Sequence, residues 1–112
     1  MTDRDLLKFA ARAAGYVVEF IGDDAYRNGQ MGRWDPLEDD GDAFRLAVDL
    51  KLELLLGSNA VVTEKDNHET RIEFVWHEND PHALRRAIVM TAAEIGKIQN
   101  DLIHEKNKQR CT

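Results

Sequence analysis

Four histidines, one cysteine and a run of carboxylates are the residues of this chain with the chemistry to hold a metal or move a proton. A zinc-protease helix places two histidines four apart on one face, with a glutamate beside the first. Here His77-Glu78 and His82 are five apart, and Asp80-Pro81 between them opens a new helix, so the two histidines do not share a face. His68 falls in a polar loop and His104 near a polar helix end, neither with a cysteine or carboxylate at ligand spacing. The acidic run Glu38, Asp39, Asp40, Asp42 invites a calcium reading. Such loops need oxygen ligands at alternating positions, a central glycine and a closing glutamate, and Asp39-Asp40-Gly41-Asp42 lacks that order. Capping of a following helix is the stronger reading, since carboxylates there accept from free N–H groups and oppose the positive end of the helix dipole. With no nucleophile motif, glycine-rich phosphate loop or cysteine pair in the sequence, no metal and no cofactor are expected, and the chain reads as non-catalytic.

The cations are the next candidates. Arg4, Lys8 and Arg12 recur every four residues and form the outer face of a first helix. Arg45, Arg85 and Arg86 are a candidate anion-binding set. Arg85-Arg86 stands at the start of the last helix, where cations are mildly unfavourable. Neutralisation by Glu78 and Asp80 is the structural explanation and a bound anionic ligand the functional one. Tyr26, Arg27, Arg33 and Trp34, with Met31, gather in one glycine-rich segment. Tyr, Arg and Trp dominate interface energies, so these four are candidate partner-binding residues. The competing and stronger reading for Trp34 is that its ring anchors the segment to the core.

The elements that must position these residues follow from periodicity. Thr2 and Asp5 make a capping-box-like start, Leu6, Phe9, Ala10 and Ala13 recur at helical spacing, and Gly15 is a stop, giving a helix over 3–14. Tyr16, Val18 and Phe20 alternate as a strand. Residues 22–41 carry no sustained period and predict a long irregular loop, with Asn28-Gly29 able to close a short hairpin between 25–27 and 30–31. Asp39 or Asp40 caps a second helix with Ala43, Leu46, Ala47 and Leu50 inside. Strands follow over 52–56, 60–64 and 70–77, and Asp80-Pro81 opens a long third helix. One strand face carries Tyr16, Val18, Phe20, Leu52, Leu54, Leu56, Ile72, Phe74 and Trp76, the other Glu19, Lys51, Glu53, Arg71 and Glu73. That asymmetry predicts an α+β fold of order α-β-α-β-β-β-α, with a mostly antiparallel sheet of about four strands, three helices on one side and the other face in water.

The chain of 112 residues is the size of one domain, 1–112, with 108–112 expected as a disordered tail. A formal charge of −6 makes nucleic acid a poor partner. The charged first residues lack a basic n-region and an apolar h-region, and no apolar run approaches the ~20 residues of a membrane helix. With Cys111 as the single cysteine, no internal disulfide is expected. A cytoplasmic protein without membrane contact is the expectation. In the last helix Leu84, Ile88, Thr91, Ile95, Ile98 and Leu102 are spaced as a helix-packing seam. A homodimer is therefore expected on Ile95, Ile98, Leu102 and Ile103, with Ala92 and Gly96 as a strip for close approach.

From Trp34-Asp35-Pro36-Leu37-Glu38 through Asp42-Ala43-Phe44-Arg45 to Leu50 the chain resembles a group of small phage and prophage proteins whose shared region is called the phage ABA sandwich domain. The resemblance continues over Asp80-Pro81-His82-Ala83-Leu84 to Ile88 and over Ala92 to Gly96, with Asp35 where the group usually has Asn. It implies viral or prophage origin, an accessory role in the host cytoplasm, no catalytic residues, and a sheet covered by helices on both faces. The residues themselves favour two layers. Together these readings lead to a non-catalytic protein that binds a host or phage protein, an antagonist of host defence being one version. The rivals are a small-ligand or nucleotide sensor using the arginines, and a structural homo-oligomer.

Overall fold

The computed structural model describes residues 2–65, 68–73 and 81–110, and the side chains within them except those of 64–65, 68 and 99–110. Helix α1 spans Asp3–Ala14. Its start is a capping box in which the Thr2 hydroxyl accepts from the Asp5 N–H at 3.2 Å and the Asp5 carboxylate accepts from the Thr2 N–H at 3.1 Å. Gly15 ends the helix at φ 74°, a conformation that glycine adopts without strain. Both ends are where the sequence places them.

Strand β1, Val18–Ile21, then turns back through Gly22-Asp23 into β2, Asp24–Arg27, with Val18 opposite Arg27 and Ile21 opposite Asp24. Gly22 has φ 64°, which suits the first position of a tight two-residue hairpin turn. The irregular segment is accordingly shorter than 22–41. Asn28-Gly29 does not pair 25–27 with 30–31; it ends β2, with the Gln30 N–H donating to the Arg27 carbonyl at 3.1 Å.

Helix α2, Asp40–Leu50, takes Asp39 as its N-cap and buries Ala43, Leu46, Ala47 and Leu50, the inner face expected of it. Strand β3 (Glu53–Leu55), β4 (Ala60–Lys65) and β5 (His68–Glu73) form a second antiparallel sheet in the order β3-β4-β5. The fold is α+β, but its strands divide into sheets of two and three rather than one sheet of about four. Leu52, Leu54 and Ile72 lean on the core as their alternation requires. Leu56 does not, because the chain enters a 3-10 turn at Leu56–Ser58 and leaves that side chain 56% exposed. Glu19, Lys51, Glu53, Arg71 and Glu73 are all exposed, which is the two-layer expectation. Phe74, Trp76, His77, Glu78 and Asp80 lie outside the described residues, so the end of the strand expected over 70–77 and the Asp80 cap do too.

Helix α3, His82–Arg110, lies along α1. Contact is close because small residues meet: Ala10, Ala92 and Ala93 are buried, and a Cβ on Gly96 would sit 2.0 Å from the Phe9 carbonyl oxygen. The strip expected to serve a second copy is thus used inside the chain. Ile95, assigned above to a dimer interface, is 4% exposed within the chain's own core, and Ile88 and Thr91 of the same seam are buried with it. Ile98 is half-buried, while the side chains of Leu102 and Ile103 lie outside the described residues. Among the described residues no helix is long and apolar enough to cross a membrane.

Candidate functional site

The connection from Asn28 to Asp39 has no regular structure of its own, and one buried carboxylate organises it. Asp42, in the first turn of α2, is 3% exposed. Its oxygens accept from the Asp35 N–H at 2.9 Å, from Gln30 Nε2 at 3.2 Å and from Arg45 at 2.6 Å. Burying an ionised carboxylate is tolerable only when its lone pairs are filled, and here three donors fill them. The cap is on Asp39, whose carboxylate accepts from the Asp42 N–H at 2.8 Å. Within the acidic run Asp39 is therefore the cap and Asp42 a loop anchor rather than a cap.

Trp34 supplies the loop's second anchor. Its N–H donates to the Ala25 carbonyl at 2.8 Å, and its ring, 1% exposed, meets Tyr16 edge-on with centroids 5.8 Å apart. A ring so covered offers no area to a partner, which corrects its place among the partner-binding residues. Arg27 stacks its guanidinium 3.5 Å from the Tyr16 ring centroid. The Tyr16 hydroxyl donates to Asp49. Loss of solvent and then that bond push the phenol up to about 12. Tyr26, on the outer hairpin face, and Met31, at 99%, remain exposed. Arg33 is exposed and pairs with Asp24 at 3.2 Å.

The candidate anion-binding arginines are not brought together. Arg45 is held by Asp42. Arg85, 13% exposed at its side chain, donates to the Leu37 carbonyl at 2.9 Å and to Asp40 at 2.6 Å. Arg86 pairs with Asp3 at 3.1 Å. Among the described residues the carboxylates beside the cations at the start of α3 are Asp40 and Asp3, from α2 and α1; Glu78 and Asp80, expected in that role, lie outside the described residues. Each guanidinium already faces a carboxylate: Arg85 and Arg86 form struts from α3 to α2 and α1, and Arg45 pairs within α2.

What the loop and the helix starts enclose is a groove of about 780 Å³. Leu7, Ala25, Trp34 and Leu37 line its apolar part. Asp3, Asp23, Asp24, Asp35 and Glu38 line it together with Arg4, Arg33, Arg86 and His82. A second recess of about 450 Å³ continues past the shared residues Arg33, Asp35 and Glu38 to Met31, Asp39, Asp42 and Arg45. Carboxylates outnumber guanidiniums along the whole trough. At its centre the Asp35 carboxyl is pushed above the usual range, first by loss of solvent and then by the charge of Glu38. Glu38 in turn has His82 Nδ1 at 4.0 Å. Among the described residues no cation stands within ion-pair distance of Asp35. Sequence reasoning singled out Arg33 and Trp34 but missed Asp35. The available signal was the Asp-Pro pair, which reads as a turn and says nothing of burial.

Comparison with known proteins finds no matching family model, no matching curated protein and no matching solved structure.

Proposed function

We propose that this chain is a non-catalytic binding protein that docks onto another protein by taking a cationic segment of it into the trough centred on Asp35. The observation that carries the reading is the Asp35 carboxylate itself. It is held half-buried beside the like charge of Glu38, while Arg33, the cation that acts against this, is already paired to Asp24. Loss of solvent and the like charge outweigh the stabilisation from Arg33, and a bound cation relieves them. The apolar lining at Leu7 and Leu37 gives the stem of a lysine or arginine a surface to lie on while its head meets Asp35 and Glu38. The exposed Met31 and Tyr26 add apolar area beyond the trough. Anion sensing is the weaker reading, because Arg45, Arg85 and Arg86 each hold a carboxylate of the chain. Phage or prophage origin, action in the host cytoplasm and antagonism of a host defence protein belong to this proposal only through the resemblance of Trp34–Leu50, Asp80–Ile88 and Ala92–Gly96. Self-association through α3 has to use the helix beyond Ile95, since the seam before it is taken by α1 and the core.

The test is capture from host-cell extract by the wild-type chain and by Asp35→Lys with Glu38→Lys, both lining residues of the trough. The expected result is a stoichiometric partner whose contact segment is basic. Capture should fall about tenfold or more in the double variant and weaken as salt rises, as desolvated charge pairs require. Equal capture by both proteins, or a partner that binds independently of salt, would overturn the reading.

A further inference from the structure

A second surface lies on the other side of the hairpin. The Asn28 N–H donates to the Val17 carbonyl at 2.9 Å. In an antiparallel pair, residues alternately face the partner and face away. Glu19 and Ile21 therefore turn their backbone groups to β2, while Val18 and Phe20 turn theirs outward. The outer edge of β2 is closed by the chain's own loop, through Trp34 N–H to Ala25 and Gln30 N–H to Arg27. Among the described residues the outer edge of β1 has no strand beside it. An open edge is a template for an added strand.

The side chains around that edge specify the strand. Arg4 and Lys8 hold their cations 5.1 and 5.9 Å from the centroid of the Phe20 ring, and neither makes an ion pair among the described residues. On the opposite face Val17 and Ile21 are 71% and 63% exposed. We infer that the β1 edge binds an extended segment of another protein in which acidic residues alternate with apolar ones. The backbone of that segment bonds to Val18 and Phe20. Its carboxylates meet Arg4 and Lys8 on the helix side, and its apolar side chains cover Val17 and Ile21. A second copy of this chain fits less well, because two-fold pairing of β1 with itself brings both Arg4–Lys8 pairs to one seam, and like charges there repel.

Amide hydrogen exchange decides it, using a six-residue peptide alternating glutamate with valine and a lysine–valine counterpart. In the free protein the Val18 and Phe20 amides exchange fast. The glutamate peptide slows both by about tenfold or more, the lysine peptide does not, and Arg4→Glu with Lys8→Glu abolishes the protection while leaving α1 folded. Slow exchange of both amides in the free protein would show the edge to be covered already. Equal protection by the two peptides would show that charge does not select the strand. Light scattering of the free protein at dimer mass, lost in Val18→Pro, would assign the edge to a second copy. Each of these three results overturns the inference. The site shares Arg4 with the lining of the Asp35 trough, but Asp35→Lys with Glu38→Lys leaves Arg4 and Lys8 in place and should leave this protection unchanged, so the two readings fail separately.

Discussion

Trp34→Ala lowers the stability of the protein by about 3–5 kcal/mol, the range for removing a buried large aromatic ring. The ring is 1% exposed and edge-on to Tyr16, so its loss leaves a cavity under the loop and frees Tyr16 on one side. For a chain of 112 residues total stability is on the order of 6–17 kcal/mol, so the variant stays folded but loses a large share of its margin. Urea unfolding measures the change. Trp34→Phe should recover much of it, because a smaller ring still fills part of the space. A change within about 1 kcal/mol for the alanine variant would mean that the ring does not hold the loop.

Gly96→Ala is the second large effect, with a sign opposite to helical propensity. In an isolated helix this change gains about 1 kcal/mol. Here the new Cβ would stand 2.0 Å from the Phe9 carbonyl oxygen and 2.8 Å from its carbon, both backbone atoms that cannot rotate away. Helices α1 and α3 must separate, which loosens the buried contacts of Ala10, Ala92 and Ala93. A net loss of about 2 kcal/mol or more is expected, read as a fall in thermal midpoint on the order of 10 °C. Gly57→Ala is the control. It has open space at its Cβ and no positive φ, and its midpoint should hardly move. A stabilised Gly96→Ala protein would contradict the close contact between the two helices.

The helices were legible because their ends carry local chemistry. The capping box of Thr2 and Asp5, the stop at Gly15 and the cap at Asp39 act within a few residues, and sequence reading captures such signals. The hairpin misled it because two turn signals compete. Asn28-Gly29 is the stronger dipeptide in general, yet Gly22-Asp23 lies between the two runs that pair, and strand pairing decides. The seam on α3 misled it differently. A repeat of Leu84, Ile88, Thr91 and Ile95 says that a helix is packed, and α1 of the same chain meets that demand as well as a second copy does.

The candidate site was legible only in part. Arg85 reaches Asp40 and Arg86 reaches Asp3, pairs separated by 45 and 83 residues, and no local pattern announces such distances. Asp42 reads as one more acidic residue at a helix start until the fold buries it and brings Gln30, Asp35 and Arg45 to it. Asp35 has the same history. Its partial burial comes from the fold, while the charges that act on it, Glu38 and Arg33, are its neighbours in the chain.

Asp35→Asn therefore tests the account most directly, with thermal midpoint and partner capture measured on the same protein. The folded structure holds this carboxyl above its ordinary value of 3.8, so ionisation works against folding at neutral pH. Any stability it lends is present below that ordinary value and lost as pH rises through the raised one. Asparagine keeps an oxygen that can accept from the backbone N–H groups of Leu37 and Glu38 and removes the charge. The predicted result is a midpoint a few degrees higher near pH 7, converging on wild type at about pH 3, together with a loss of capture of about tenfold. A variant with the higher midpoint that still captures the partner at wild-type strength would contradict the claim that this charge is kept for binding.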